Sequence, residues 1–180
     1  RKLTEDTSLI GEIDRLELEA DDPEFDAKVT EYGQIIDAGR GLKNSDIDYL
    51  EEILERVPSL SEIWVLVARA YLAWNDSESA LETLLDGYSH VPNDADLVAQ
   101  LVDILWHSGQ QSLALDYLKK SIEIHPFDVP LIARFGRYLF EYGDRDTARI
   151  HLARAEAIGP RHPELIKART IVSNILSSEA

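Results

Sequence analysis

The chain has 180 residues, no cysteine and a formal net charge of −16. The absence of cysteine excludes a disulfide framework and any cysteine-based metal site. The acidic excess repels a phosphate backbone and argues against nucleic acid as a partner. No run of about 18 apolar residues is present, so no segment reads as a membrane-spanning helix. No signal peptide is visible. The chain starts at Arg1 and contains no methionine, which leads us to expect a piece of a longer protein.

In chain order, Ser8–Ala20 places Leu9, Ile13, Leu16 and Ala20 on one helical face, predicting an N-terminal helix or cap within residues 1–25. Asp22-Pro23 is expected to start the next helix as N-cap and first-turn residues. Residues 26–60 read as a helical hairpin. Val29, Tyr32, Gly33 and Ile36 fall on its first helix, Leu50 and Ile53 on its second, and Pro58 closes it. Gly39-Arg40-Gly41 lengthens its turn, and Asp46 stands where a small residue would be expected.

Three hairpins of one pattern follow, at 61–94, 95–128 and 129–162. Trp64, Val67, Ala68 and Tyr71 mark the first helix of the first hairpin, and Ala80, Leu84 and Gly87 mark its second. The next two hairpins repeat this with Val98, Leu101, Val102, Leu105, Ala114, Leu118 and Ser121, then with Ile132, Phe135, Gly136, Leu139, Ala148, Leu152 and Ala155. Asn75, Gly109 and Gly143 occupy one equivalent place between the helices, where a left-handed residue ends a helix. Pro92, Pro126 and Pro160 recur every 34 residues and cannot continue the second helices. The alanines at 80, 114 and 148 allow close approach of two helix axes. Residues 163–180 present one apolar stripe, with Leu165, Ala168, Ile171, Val172, Ile175 and Leu176. The other side is polar, as a capping helix requires.

A fixed period of this size, with an aromatic, a large-small pair, a tyrosine, an alanine and a closing proline at set places, resembles the tetratricopeptide repeat. The resemblance covers three full units, with 26–60 as a degenerate fourth. It implies an all-α fold: a right-handed α-solenoid of antiparallel helical hairpins, about ten helices in all, with a C-terminal capping helix. It also implies that the first helices of successive units line a concave groove that holds a peptide or protein. On that face stand Arg69 and Leu72, then Gln100, Asp103, Trp106 and His107, then Arg134, Arg137 and Phe140. Leu72, Trp106 and Phe140 are equivalent, so they either form an apolar track for a ligand or pack against the next unit. For Leu72 packing is the expected outcome. Trp64 is expected inside its hairpin, and Trp74 and Tyr142 in local packing at hairpin tips.

The acidic excess lies before residue 129; beyond it basic residues outnumber acidic ones. The groove therefore runs from acidic (Glu31, Asp37, Asp96, Asp103) to basic (Arg134, Arg137), and suits an extended ligand of the opposite polarity. In the third unit Arg134, Arg137, Arg145, Arg149 and Arg154 could meet a ligand's carboxylate or phosphate, or equally pair with Glu141, Asp144, Asp146 and Glu156. Chaperone adaptors of this family clamp two carboxylates with lysines, asparagines and an arginine. Here the matching places hold Val65, Arg69, Gln100, Pro130 and Arg134, and only Arg134 agrees, so binding of that type is not expected. The five histidines are scattered, with none in a pair at four-residue spacing, and no nucleophile, base and orienting group can be read together. The expectation is a non-catalytic interaction scaffold with no cofactor and no metal. The alternative is the targeting or regulatory arm of a larger enzyme or envelope assembly protein. Self-association through exposed caps is left open.

Overall fold

A computed structural model of the chain describes residues 12–19 and 21–179. Among them there are ten helices and no strand. The first, α1, covers residues 12–19. It is followed by α2 (Phe25–Asp37), α3 (Asn44–Arg56), α4 (Ser61–Ala73), α5 (Ser77–His90) and α6 (Ala95–His107). The remaining helices are α7 (Gln111–Ile124), α8 (Val129–Tyr142), α9 (Arg145–Ile158) and α10 (Pro163–Glu179). Two compact units divide the chain, the first ending at Leu101 and the second beginning at Val102, within α6.

Turn chemistry sets the helix ends. Asn75, Gly109 and Gly143 have φ of 60°, 84° and 109°, the left-handed conformation that stops a helix. The residue after each donates its N–H back into the preceding helix, from Asp76 to Tyr71, from Gln110 to Leu105 and from Asp144 to Leu139, at 2.9–3.0 Å. Asp76 and Asp144 then cap α5 and α9 by accepting from the N–H groups of Ser79 and Thr147. Two residues past each closing proline lies a second set of caps. Asp94 accepts from Leu97 N–H at 2.8 Å, and Asp128 from Leu131 N–H at 2.9 Å. At the same place before α10, His162 Nδ1 accepts from Glu164 N–H at 3.2 Å.

In the first unit α4 packs on α3, α5 and α2. Its core gathers Phe25, Leu50, Ile53, Ile63, Val67 and Ala70, with the Trp64 and Tyr71 rings partly buried against it. Small residues set the spacing. A Cβ on Gly87 would lie 2.8 Å from Trp64 Cγ, and one on Gly136, in the second unit, 2.8 Å from Leu152 Cγ. In that second unit α8 packs on α7, α9 and α10. Ala114, Leu118, Ile132, Ala148 and Leu165 are fully buried, each large one contributing roughly 1.5–3 kcal/mol relative to exposure.

The N-terminal stripe differs from expectation. Ile13 and Leu16 are exposed and Leu18 is the buried apolar residue; Leu9 and Ala20 lie outside the described residues. Polar contacts fix the rotation of α1. Asp14 accepts from the Ser59 hydroxyl at 2.5 Å, and Arg15 pairs with Glu19, Asp26 and Glu62. These residues share a face with Leu18, not with Ile13. Asp22 and Pro23 precede α2 without entering it. Asp22 instead accepts from Glu24 N–H, Lys28 Nζ and the Tyr49 hydroxyl, at 3.0, 3.0 and 2.7 Å. Those hydrogen bonds and the lysine charge hold its carboxyl below the ordinary aspartate range. Asp46, out of place as a small residue, accepts from Lys43 N–H at 3.0 Å and so caps α3. On α10, Leu165 and Ala168 are buried, whereas Leu176 is exposed.

Candidate functional site

Within the second unit one face is built from α6, α8 and α10. Helical spacing puts Asp103 and Trp106 one turn apart on α6, and Arg134, Arg137, Tyr138 and Glu141 on successive turns of α8. The Trp106 and Tyr138 rings stack with centroids 4.1 Å apart and planes 7° from parallel. Trp106 Nε1 donates to Glu141 Oε2 at 3.1 Å. Asp103 Oδ1 is the hub. It accepts from the Tyr138 hydroxyl and from Arg134 Nε, the latter at 2.9 Å, and it lies 3.9 Å from Arg137 Nη2. Arg134 Nη2 also reaches Glu164 of α10, 3.6 Å away.

Burial makes this network rigid. The side chains of Arg134 and Arg137 are only 9% and 13% exposed, and the Arg137 guanidinium sits 4.3 Å from the centre of the Tyr138 ring. Burial first, and then the Asp103 charge and hydrogen bond, push the Tyr138 hydroxyl above the ordinary tyrosine range. It therefore stays protonated and donates. Arg137 Nε is buried with no hydrogen-bond partner, its nearest carboxylate being Glu141 Oε1 at 3.6 Å. That donor is ion-paired with Glu141 and shut off from solvent, and it lacks a well-formed hydrogen bond.

The residues singled out from sequence fall unevenly. Asp103, Trp106, Arg134 and Arg137 come together in this network. Phe140 is buried, with the Arg145 guanidinium 4.9 Å from its ring centre. His107 is exposed, its Nδ1 2.7 Å from the Asp103 carbonyl oxygen. In the first unit Arg69 pairs with Asp37, and Leu72 and Gln100 are half-buried. Trp106 and Phe140 therefore do not present an open apolar track. Trp106 is 7% exposed because Tyr138 covers its ring. The basic end of the face is likewise matched by Asp103, Glu141 and Glu164. Tyr138 and Glu164 were not singled out, although Tyr138 stands one turn after Arg134 and one turn before Glu141. Among the described residues no three of His, Asp and Glu form a cluster able to hold a metal ion, and no helix is long and apolar enough to cross a membrane.

No protein-family model matches the chain, and no curated protein matches it in sequence. Solved structures do match in fold. TTC0263, a thermophilic TPR protein of Thermus thermophilus, superposes with a TM-score of 0.67 at 20% identity, covering 87% of this chain and 84% of that one. YrrB, a TPR protein with an unusual peptide-binding site, gives 0.59 at 17% identity, covering 83% and 76%. The MamA protein gives 0.59 at 18% identity, covering 89% and 86%.

Proposed function

Since the chain has the fold of tetratricopeptide-repeat proteins, we propose that it is a non-catalytic interaction scaffold, and that the α6–α8–α10 face of its second unit receives a peptide segment of a partner protein. In this reading residues 61–94, 95–128 and 129–162 are repeats, 26–60 is a degenerate one and 163–180 is the cap. The observation that carries the reading is the Arg137 side chain, held against Tyr138 and ion-paired with Glu141, with its Nε buried and without a hydrogen bond. A partner's carbonyl or carboxylate that displaces Glu141 from Arg137 would supply the hydrogen bond this donor lacks. The stacked Trp106–Tyr138 pair provides a rigid floor beside it.

A displayed library of random peptides tests this. Peptides selected on the intact chain are expected to bind Arg137→Met about 10- to 100-fold more weakly, since a hydrogen bond to a charged donor contributes about 1.5–3 kcal/mol. Circular dichroism must show the variant still helical. Selected peptides that bind Arg137→Met as tightly as the intact chain would remove this face from consideration.

A further inference from the structure

The second unit carries a groove elsewhere, between α7 and α9, with α8 as its floor. Its volume is about 590 Å³. Phe135 and Leu139 form the floor, and Leu115 and Ile122 line the α7 wall. Four charges stand on the rim, Lys119 and Arg154 against Asp116 and Glu123. A fifth, Asp144, is occupied as the cap of α9. The groove thus favours a body that is apolar and carries no net charge.

One polar atom of the α9 wall is unmet. His151, on the α9 wall, meets the Phe135 ring edge-to-face with centroids 4.7 Å apart, and its Nδ1 is buried with no hydrogen-bond partner. Burial, and secondarily the Arg154 charge, lower its pKa, which keeps the ring neutral. A neutral imidazole nitrogen is either a donor or an acceptor. A hydroxyl satisfies both forms, an indole N–H only the acceptor and a carboxylate only the donor. The complementary ligand is a ring bearing a hydroxyl.

In the first unit such a ring is part of the groove wall. An equivalent groove lies two periods earlier, between α3 and α5 over α4, with a volume of about 480 Å³. There the place of Leu139 is taken by Tyr71, whose hydroxyl donates to Glu51 at 2.7 Å. The place of His151 is taken by Thr83, which donates to its own helix at the Ser79 carbonyl. The first groove carries its own phenol, and its imidazole, His90, is exposed and stacked on Trp64. The second lacks the phenol and has the unpartnered nitrogen of His151.

We propose that the α7–α9 groove is a receptor for a tyrosine side chain of a partner polypeptide, its hydroxyl hydrogen-bonded to His151 Nδ1 once the half-buried imidazole turns that nitrogen into the groove. The charged rim meets the flanking main chain of that partner. This assignment uses none of the residues of the α6–α8–α10 face.

The test uses the full chain and three probes: the blocked tripeptides acetyl-Ala-Tyr-Ala-amide and acetyl-Ala-Phe-Ala-amide, and p-cresol. The tyrosine peptide is expected to bind about tenfold or more tightly than the phenylalanine peptide, a hydroxyl's worth of discrimination at a polar site, and to shift the His151 ring resonances. His151→Phe should abolish the preference with helicity retained. Leu139→Tyr, which installs the phenol found in the first unit, should block the tyrosine peptide. Equal binding of the two peptides, or no binding of either, overturns the proposal. So does a tyrosine preference that survives Leu139→Tyr. Binding of p-cresol without the tyrosine peptide would reassign the groove to a free phenol and overturn the polypeptide partner.

Discussion

The groove over α4 and the groove over α8 occupy the same place in the period, yet they share little chemistry. Pro58, Val67 and Leu54 correspond to Pro126, Phe135 and Ile122, so wall and floor keep their apolar character. The rims diverge. Glu51 and Asp86 in the first unit stand where Lys119 and Arg154 stand in the second, and Tyr71 and Thr83 where Leu139 and His151 do. Among the described residues, Glu51, Glu55, Glu82 and Asp86 make no salt bridge, and no lysine or arginine lines that groove. The repeat keeps the residues that hold helices apart and leaves free those that look into the space between. A period is thus a specification of shape, on which charge and hydrogen bonding vary independently.

The floor offers the strongest way to break this comparison. Phe135→Ala should cost about 3–5 kcal/mol by urea denaturation, and Val67→Ala, a smaller truncation at the equivalent place, clearly less. Equal losses would mean that the two floors are not doing the same job. The turns come next. Gly143 has φ of 109° and Asn75 has φ of 60°, so Gly143→Ala should destabilise by about 1–2 kcal/mol, whereas Asn75→Gly should change the midpoint little. The rims follow. Asp86→Arg places the second unit's charge among the first unit's carboxylates, and should raise stability by about 0.2–1 kcal/mol at low salt. The gain should fade at high salt as screening sets in; a gain that is unaffected by salt would contradict an electrostatic origin.

The subtlest contrast is one of slope, read from Tyr71→Phe in the alkaline range. The hydrogen bond to Glu51, then burial, push the Tyr71 hydroxyl up to about 12. Its folded value is raised, so its contribution is complete below the ordinary value near 10 and is lost as pH rises toward 12, because the unfolded chain has already released that proton. Tyr71→Phe should flatten the loss of stability over that alkaline range, followed by thermal melts at increasing pH. Leu139 has no proton to lose, so Leu139→Ile should leave the alkaline slope unchanged.

Much of this architecture was readable from spacing. The three left-handed turns, the alanines at 80, 114 and 148 and the closing prolines are short-range or strictly periodic, and each appears where the period puts it. What escaped is long-range or locally ambiguous. Asp94 and Asp128 repeat with the period, but a proline two residues earlier drew the eye as the end of a helix and hid the start of the next. For the third-unit arginines the sequence offers acidic partners within the same hairpin, whereas the partners of Arg134, Asp103 and Glu164, sit on α6 and α10. Only folding brings those together. Trp106 exposed or covered could not be decided without knowing that Tyr138 lies across it. At the N-terminus the stripe of Ile13 and Leu16 lost to Asp14, Arg15 and Leu18, whose polar contacts set the rotation of the helix.

The uneven burial of α8 and α10 also has a consequence in time. α8 hides nine residues, from Val129 to Phe140, between α7, α9 and α10, whereas α10 hides two, Leu165 and Ala168. Amide protons exchange with solvent through openings whose free energy follows such burial. The protons of α10 should therefore leave first and those of α8 last. The second unit should then come apart in a set order, with Glu164, at the rear of the α6–α8–α10 face, released from Arg134 while the Trp106–Tyr138 stack still stands.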